Sequence, residues 1–230
     1  MSAAPDPTPP APGAPADRWA RLRADMVAQQ LRGRGLRDPR VLAAMAATPR
    51  EEFVPPEERE QAYEDRALAI GYRQTISQPY MVALMLELLA PQPQDRVLEV
   101  GAGSGYQAAL LGQLAAEVWA VEIVPELARR AKATLARGGY DNVHLVVADG
   151  SEGYAEQAPY QRIILAAGAP QVPEPVVAQL ALGGRLVAPV GPRYAQRCVV
   201  WDRTPQGLQE TESIGCVFVP LVGKHGWPEQ

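Results

Sequence analysis

Cysteine, histidine and phenylalanine are scarce in this sequence, with two of each among 230 residues. Two cysteines cannot build a disulfide framework. Cys198 and Cys216 both sit in apolar runs near the C-terminus, so they read as free thiols of a reducing compartment, the cytoplasm. His144 falls in a strand-like run and His225 near the C-terminus; both read as ordinary residues, and no metal site is expected. Long apolar runs are missing as well. The run "VALMLELLA" is far shorter than the roughly 18–20 residues that cross a bilayer, and it carries Glu87, so no membrane partner is expected. Nor is there an excess of positive charge. With 22 Lys and Arg against 26 Asp and Glu, the formal charge is −4, which leaves no broad cationic surface for nucleic acid.

What is present is a chain with 47% hydrophobic residues, enough to bury one sizeable core. Residues 1–16, "MSAAPDPTPPAPGAPA", lack the charged and apolar blocks of a signal segment and read as a disordered Pro/Ala-rich tail. Residues 17–222 read as a single domain, expected to be monomeric, and 223–230 as a C-terminal tail. Within the domain, 17–78 form a helical preface followed by a polar loop, and 79–222 an α/β core. Trp19, Leu22, Met26 and Leu31 follow helical spacing up to a stop at Gly33 and Gly35, and Asp38-Pro39 starts a second helix. From Pro79 onward helices alternate with the strands "RVLEVG", "VWAVEI", "VHLVVAD", "RIILAAG" and "RLVAPVG", with a helix "PEPVVAQLA" before the last of them. Two β-rich runs follow, "RCVVWDR" and "IGCVFVPLVG". The alternation predicts a doubly wound, mostly parallel sheet with antiparallel strands at its C-terminal end.

The loop "EVGAGSGYQ" follows the first of these strands and opens a helix, where an open α/β sheet receives a ligand against backbone N–H groups; Gly101 and Gly103 line that position. Tyr106 stands where a dinucleotide fingerprint has its third glycine, which weakens an NAD-dependent oxidoreductase without removing it. Glu99, two residues before the loop, would repel a pyrophosphate and suits a cationic ligand such as S-adenosylmethionine, whose ammonium it would orient; the alternative is a carboxylate that caps the loop. Glu122 ends the next strand, placed to accept hydrogen bonds from two ribose hydroxyls of either cofactor. Asp149 ends the third strand, where it would accept from an adenine amino group beside Gly150, or simply make a turn.

The polar stretch "GYRQTISQPY", residues 71–80, has no part in a generic nucleotide fold. Together with "LRGRGLRDPRVLAAMAATPREEFVP", "VLEVGAGSGYQAALL", "VVADGSEGYAEQAPY", "GGRLVAPVG" and "VFVPLV", it resembles the protein-L-isoaspartate O-methyltransferase family, over about residues 17–222. The resemblance implies a Rossmann-like S-adenosylmethionine-dependent methyltransferase that esterifies the α-carboxylate of L-isoaspartyl residues in damaged proteins and peptides. It implies Ser77 as the catalytic residue, a serine also placed to cap the helix that follows Gln78-Pro79, with Thr75 and Ile76 lining the ligand cleft, and Gln196 in "VGPRYAQR" bonding the cofactor or closing the cleft. One departure is Gln161, where the family commonly carries an aspartate that would anchor a loop. A noncatalytic binding protein on the same fold, or a small-molecule methyltransferase, stays open at this point.

Overall fold

The computed structural model describes residues 15–228. The expected N-terminal tail therefore lies outside the described residues up to 14, while Pro15 already begins helix α1 (Pro15–Asp25). The helical path runs on through a wide turn at Met26–Leu31 and a tight one at Arg32–Arg34, and ends at Gly35, whose φ of +96° only glycine adopts freely. Helix α2 (Pro39–Ala47) starts as the sequence predicts, with the Asp38 side chain accepting the Arg40 N–H at 2.8 Å and proline in the first turn. The proline-broken stretch after it forms short turns at Arg50–Glu52 and Pro56–Gln61.

The polar loop is a two-stranded antiparallel hairpin, β1 (Leu68–Gly71) and β2 (Gln74–Ile76), with Leu68 opposite Ile76. Its two turn residues, Tyr72 and Arg73, both have positive φ, 54° and 58°, the mirror-image turn that matches strand twist but strains residues other than glycine. Arg130 of α5 (Pro125–Arg137) holds the hairpin in place by donating to the Ile70 carbonyl at 2.7 Å.

The main sheet has seven strands in the order β5-β4-β3-β6-β7-β8-β9. Five are parallel: β3 (Arg96–Val100), β4 (Glu117–Glu122), β5 (Val143–Val147), β6 (Tyr160–Leu165) and β7 (Leu180–Val190). β8 (Gln196–Thr204) and β9 (Gly207–Cys216) add antiparallel at one edge. Helices α3 (Pro79–Leu89), α4 (Tyr106–Leu114) and α5, with the preface, cover one face around Leu86, Val97, Leu110 and Met45. The other face buries Leu98, Val121, Ile163 and Leu165 beneath a short α6 (Glu174–Ala178). No helix among the described residues is long and apolar enough to cross a membrane.

Two expectations about the C-terminal part are corrected. The last strand, β9, starts before the run "IGCVFVPLVG" and takes in only its first three residues; its residues "LQETES" are polar because it is an edge strand with little to bury. Residues 217–222 instead leave the sheet and bond beside it, with Gly168 N–H donating to Val219 O and Leu221 N–H to Gly168 O, both at 2.8 Å. Residues 223–228 are not a loose tail either. Trp227 donates its backbone N–H to Leu221 O at 2.7 Å and its indole N–H to Gly168 O at 3.0 Å, so the chain folds back onto the sheet end.

Candidate active site

The carboxyl ends of β3, β4 and β6 meet where the strand order changes direction, the place where an open α/β sheet receives ligands. Gly101 and Gly103 have φ of +89° and +54°, which lets the loop turn its N–H groups back onto β4: Gly101 and Ala102 donate to Val121 O at 2.8 and 3.0 Å. Glu122, 5% exposed, accepts the Gly103 N–H at 2.7 Å on one oxygen and the Val124 N–H at 2.9 Å on the other. Its carboxylate is thus fixed at the cleft wall with lone pairs left over on both oxygens.

Across the cleft, residues 72–78 of the hairpin face residues 215–222. Three adjoining cavities lie between these two segments. The middle one is narrow, about 60 Å³, and is lined by Thr75, Gly101, Gly103, Glu122, Gly150 and Val219. One end opens into about 480 Å³ beside Tyr72, Ile123 and Val222. The other end is a pocket of about 180 Å³ beside Ser77, Met81 and Val217. Thr75 and Val219 line both the middle cavity and the Ser77 pocket, so a ligand in one would meet a ligand in the other at that pair. Ser77 is half-buried, and no group among the described residues bonds its hydroxyl. It is not the cap of α3: Gln78 holds that position, without a side-chain bond. Ile76 departs from the expectation. Alternation along β2 sends its side chain into the core, 4% exposed, while Thr75 faces the cleft.

Glu99 lies under the loop rather than on the cleft wall. It is 0% exposed, and neither carboxylate oxygen has a hydrogen-bond partner, which removes the loop-capping alternative. Burial first, and the charge of Glu122 second, push its pKa well above the usual carboxylate range; the nearby Gln107 amide, itself unpartnered, works against that rise. A buried acid without a protein partner, next to a loop whose glycines leave backbone room, fits a cofactor that carries positive charge.

Asp149 takes the turn-making role. Its Oδ1 accepts from the Ser151 N–H at 2.9 Å and the Ser151 hydroxyl at 2.7 Å, and its Oδ2 accepts from the Lys224 N–H at 2.8 Å. Burial pushes its pKa up, but the bonds from Lys224 and Ser151 outweigh that and hold the carboxylate below its usual value. Gly150 lines the cleft, and a Cβ there would come within 2.7 Å of Val100.

Gln196 is a second correction. It is 2% exposed, its amide donates to Pro192 O and Arg193 O at 2.9 and 2.7 Å, and its carbonyl accepts the Phe218 N–H at 2.9 Å. With both donors spent, it has no N–H left for a cofactor, and it locks the loop before β8 to residues 217–222, one wall of the cleft. Gln161 accepts the Arg96 N–H at 2.8 Å, so the glutamine itself anchors the start of β3. Sequence reasoning missed Arg50, wholly buried and bonded to the Ser77 carbonyl at 2.7 Å; an arginine amid "TPREEF" was the available signal.

A family model described as protein-L-isoaspartate(D-aspartate) O-methyltransferase matches residues 22–226. The chain is 53% identical to the protein-L-isoaspartate O-methyltransferase of Methanoregula boonei, over 89% of this chain and 94% of that one. It is also 53% identical to the enzyme of the same name from Methanoculleus marisnigri, over 92% and 96%. Among solved structures, a protein-L-isoaspartate O-methyltransferase superposes with a TM-score of 0.79 at 29% identity, covering 88% of this chain and 66% of that one. A Plasmodium falciparum protein solved in complex with S-adenosyl-L-homocysteine shares the fold, with a TM-score of 0.77 at 24% identity over 87% of this chain and 98% of that one.

Proposed function

The chain belongs to the protein-L-isoaspartate(D-aspartate) O-methyltransferase family, and from that premise we infer how its three-part groove divides the labour of the reaction. The protein is an S-adenosylmethionine-dependent repair enzyme that methylates the α-carboxylate of L-isoaspartyl residues in damaged proteins and peptides. The ester then closes to a succinimide, whose hydrolysis returns part of the material to the normal aspartyl linkage.

The observation that carries the division is the shared wall. Thr75 and Val219 line both the glycine-loop cleft and the pocket at Ser77, so the cleft is the cofactor end and the pocket the acceptor end. When bound, the cofactor supplies an electrophilic methyl group on positively charged sulfur. Glu122 would accept its ribose hydroxyls, and Gly101, Gly103 and Gly150 give it close backbone approach. Glu99 would act from beneath the loop as a counter-charge rather than by direct contact. Asp149 keeps one lone pair on Oδ2 for an adenine amino group, within a turn already tied to residues 223–228.

At the acceptor end the free hydroxyl of Ser77 can donate to a carboxylate oxygen. An acceptor carboxylate is already anionic near neutral pH, so the protein has no proton to remove and its main contribution is to hold the oxygen in line. The pocket of about 180 Å³ admits one residue and its backbone, while the exposed flank at Val217 leaves neighbouring side chains outside.

The test is incubation with methyl-labelled S-adenosylmethionine and a matched pair of peptides, one isoaspartyl and one aspartyl. Base-labile methyl ester is expected on the isoaspartyl peptide alone. Equal labelling of the pair would sink the reading.

A further inference from the structure

We propose that Arg50 is a positioning and specificity-determining residue of the acceptor end: a buried cation that fixes the Ser77 turn and makes this end choose an anionic acceptor over a neutral one. The inference rests on the reading of the Ser77 pocket as the acceptor site.

Arg50 is 0% exposed and opens the turn Arg50–Glu52. Its guanidinium donates from Nε to Ala62 O and from Nη2 to Ser77 O, each at 2.7 Å, and lies 4.9 Å from the ring centre of Tyr106, the first residue after the glycine loop. It therefore ties the preface, the Ser77 turn and the start of α4 to one another. Its Nη1 has no hydrogen-bond partner.

No carboxylate among the described residues lies within ion-pair distance of it. Acids are close in sequence, yet they are engaged elsewhere: Glu51 accepts the Tyr63 hydroxyl and pairs with Arg23, and Asp65 pairs with Arg34. Taking a guanidinium out of water is costly unless it is fully matched, and two backbone carbonyls and one ring face leave Nη1 without an acceptor. A neutral amide could anchor the Ser77 carbonyl at smaller cost. Beyond its contact with the Tyr106 ring, what a cation adds is a field, and in a water-poor surrounding that field acts over the one residue separating Arg50 from the pocket.

Two buried ionisable groups without an ion-pair partner thus flank the two halves of the groove, the acid Glu99 beneath the cofactor end and the base Arg50, with Nη1 unbonded, behind the acceptor end. The acceptor arrives as an anion and leaves as a neutral ester, so its charge falls as the reaction proceeds. The field of Arg50 accordingly favours the bound acceptor more than the transition state. Loss of the charge appears in acceptor affinity, and loss of the Ser77 anchor appears in turnover.

The experiment compares binding of an isoaspartyl peptide with that of its α-carboxamide counterpart, by competition near neutral pH, in the parent, Arg50→Gln and Arg50→Lys. The parent should prefer the acid by about tenfold, Arg50→Gln should bring the preference close to one, and Arg50→Lys should keep it while turnover falls severalfold. Cofactor affinity should stay within about twofold in both. An unchanged preference in Arg50→Gln, or acceptor and cofactor affinity falling in step, would overturn the proposal. Should neither variant fold, replacing Gln78 by its α-hydroxy acid makes the preceding linkage an ester and weakens the Ser77 carbonyl as an acceptor without touching Arg50. A fall in kcat/KM for the peptide at constant cofactor affinity then supports the role, and an unaltered kcat/KM removes it. Failure of the parent to methylate any isoaspartyl peptide would instead strike the assignment of the acceptor end itself.

Discussion

The backbone N–H of Gly103 donates to the Glu122 carboxylate at 2.7 Å, so the glycine loop after β3 and the acidic residue that ends β4 are one construction. The second oxygen takes the Val124 N–H at 2.9 Å. In Glu122→Gln one of these N–H groups must face an NH₂ instead of an acceptor. Hydrogen bonds to a charged group contribute about 1.5–3 kcal/mol, so the cofactor dissociation constant should rise about 10- to 100-fold. Titration calorimetry checks this; an affinity within twofold of the parent would detach the loop from the ribose site.

Ser77→Ala should lower turnover by about tenfold, the loss of one hydroxyl bond to the acceptor, while cofactor affinity stays near the parent value. Thermal stability should hardly change, because Gln78 occupies the N-cap of α3 and the Ser77 hydroxyl holds nothing in the folded chain. Single-turnover kinetics beside a melting curve separates the two outcomes. A large fall in melting temperature with full turnover would make Ser77 a structural residue.

The parallel core was legible because most of its strands are short apolar runs and several helices start at a proline, with Pro79, Pro125 and the Asp38-capped Pro39 at helix starts, while α4 starts at the glycine loop itself. Glu122, Gly101, Gly103 and Gly150 could be placed for the same reason, since position at a strand end is a local property. What was illegible depends on contacts distant in sequence. β9 is a polar edge strand with no apolar alternation to betray it. Gln196 reads as a loop amide until Phe218, 22 residues later, supplies the N–H that buries it. Glu99 read as a ligand group because a carboxylate beside the glycine loop suits a cationic ligand, but strand alternation points it to the α4 face with Val97 rather than to the cleft. For Arg50 the only local signal was an arginine amid "TPREEF"; its burial and its bond to Ser77, 27 residues later, come from the fold.

Gly150→Ala tests close approach at the cleft floor. A Cβ would come within 2.7 Å of Val100 Cγ1, and Val100 is wholly buried between strands, so it has no room to yield. Overpacking of this kind costs about 1–3 kcal/mol. Denaturant melts should show that loss in Gly150→Ala and a partial recovery in the double variant with Val100→Ala, since the two sites touch and do not add independently. Equal losses in the single and double variants would place the strain elsewhere.

The last prediction concerns pH. Glu99 holds its proton in the folded chain well above the ordinary carboxylate value of 4.5, through burial and then Glu122, whereas in the unfolded chain it ionises at that ordinary value. Between the two values the unfolded chain has released a proton that the folded chain retains. Stability from this group is therefore complete below the unfolded value, declines as pH rises, and levels off once the folded value is passed. Glu99→Gln removes the decline. The ligand-free variant should match the parent at acid pH, below the unfolded value, and exceed it in stability by a growing margin as pH rises above that value, as denaturant melts at several pH values would report. The same proton links to the cofactor. A cationic ligand favours the ionised acid, so binding to the parent should release protons, seen as a buffer-dependent binding enthalpy, and binding to the variant should be weaker and release fewer. Parallel stability curves for parent and variant, together with equal proton release, would mean that Glu99 is neither strained by its burial nor answered by the ligand.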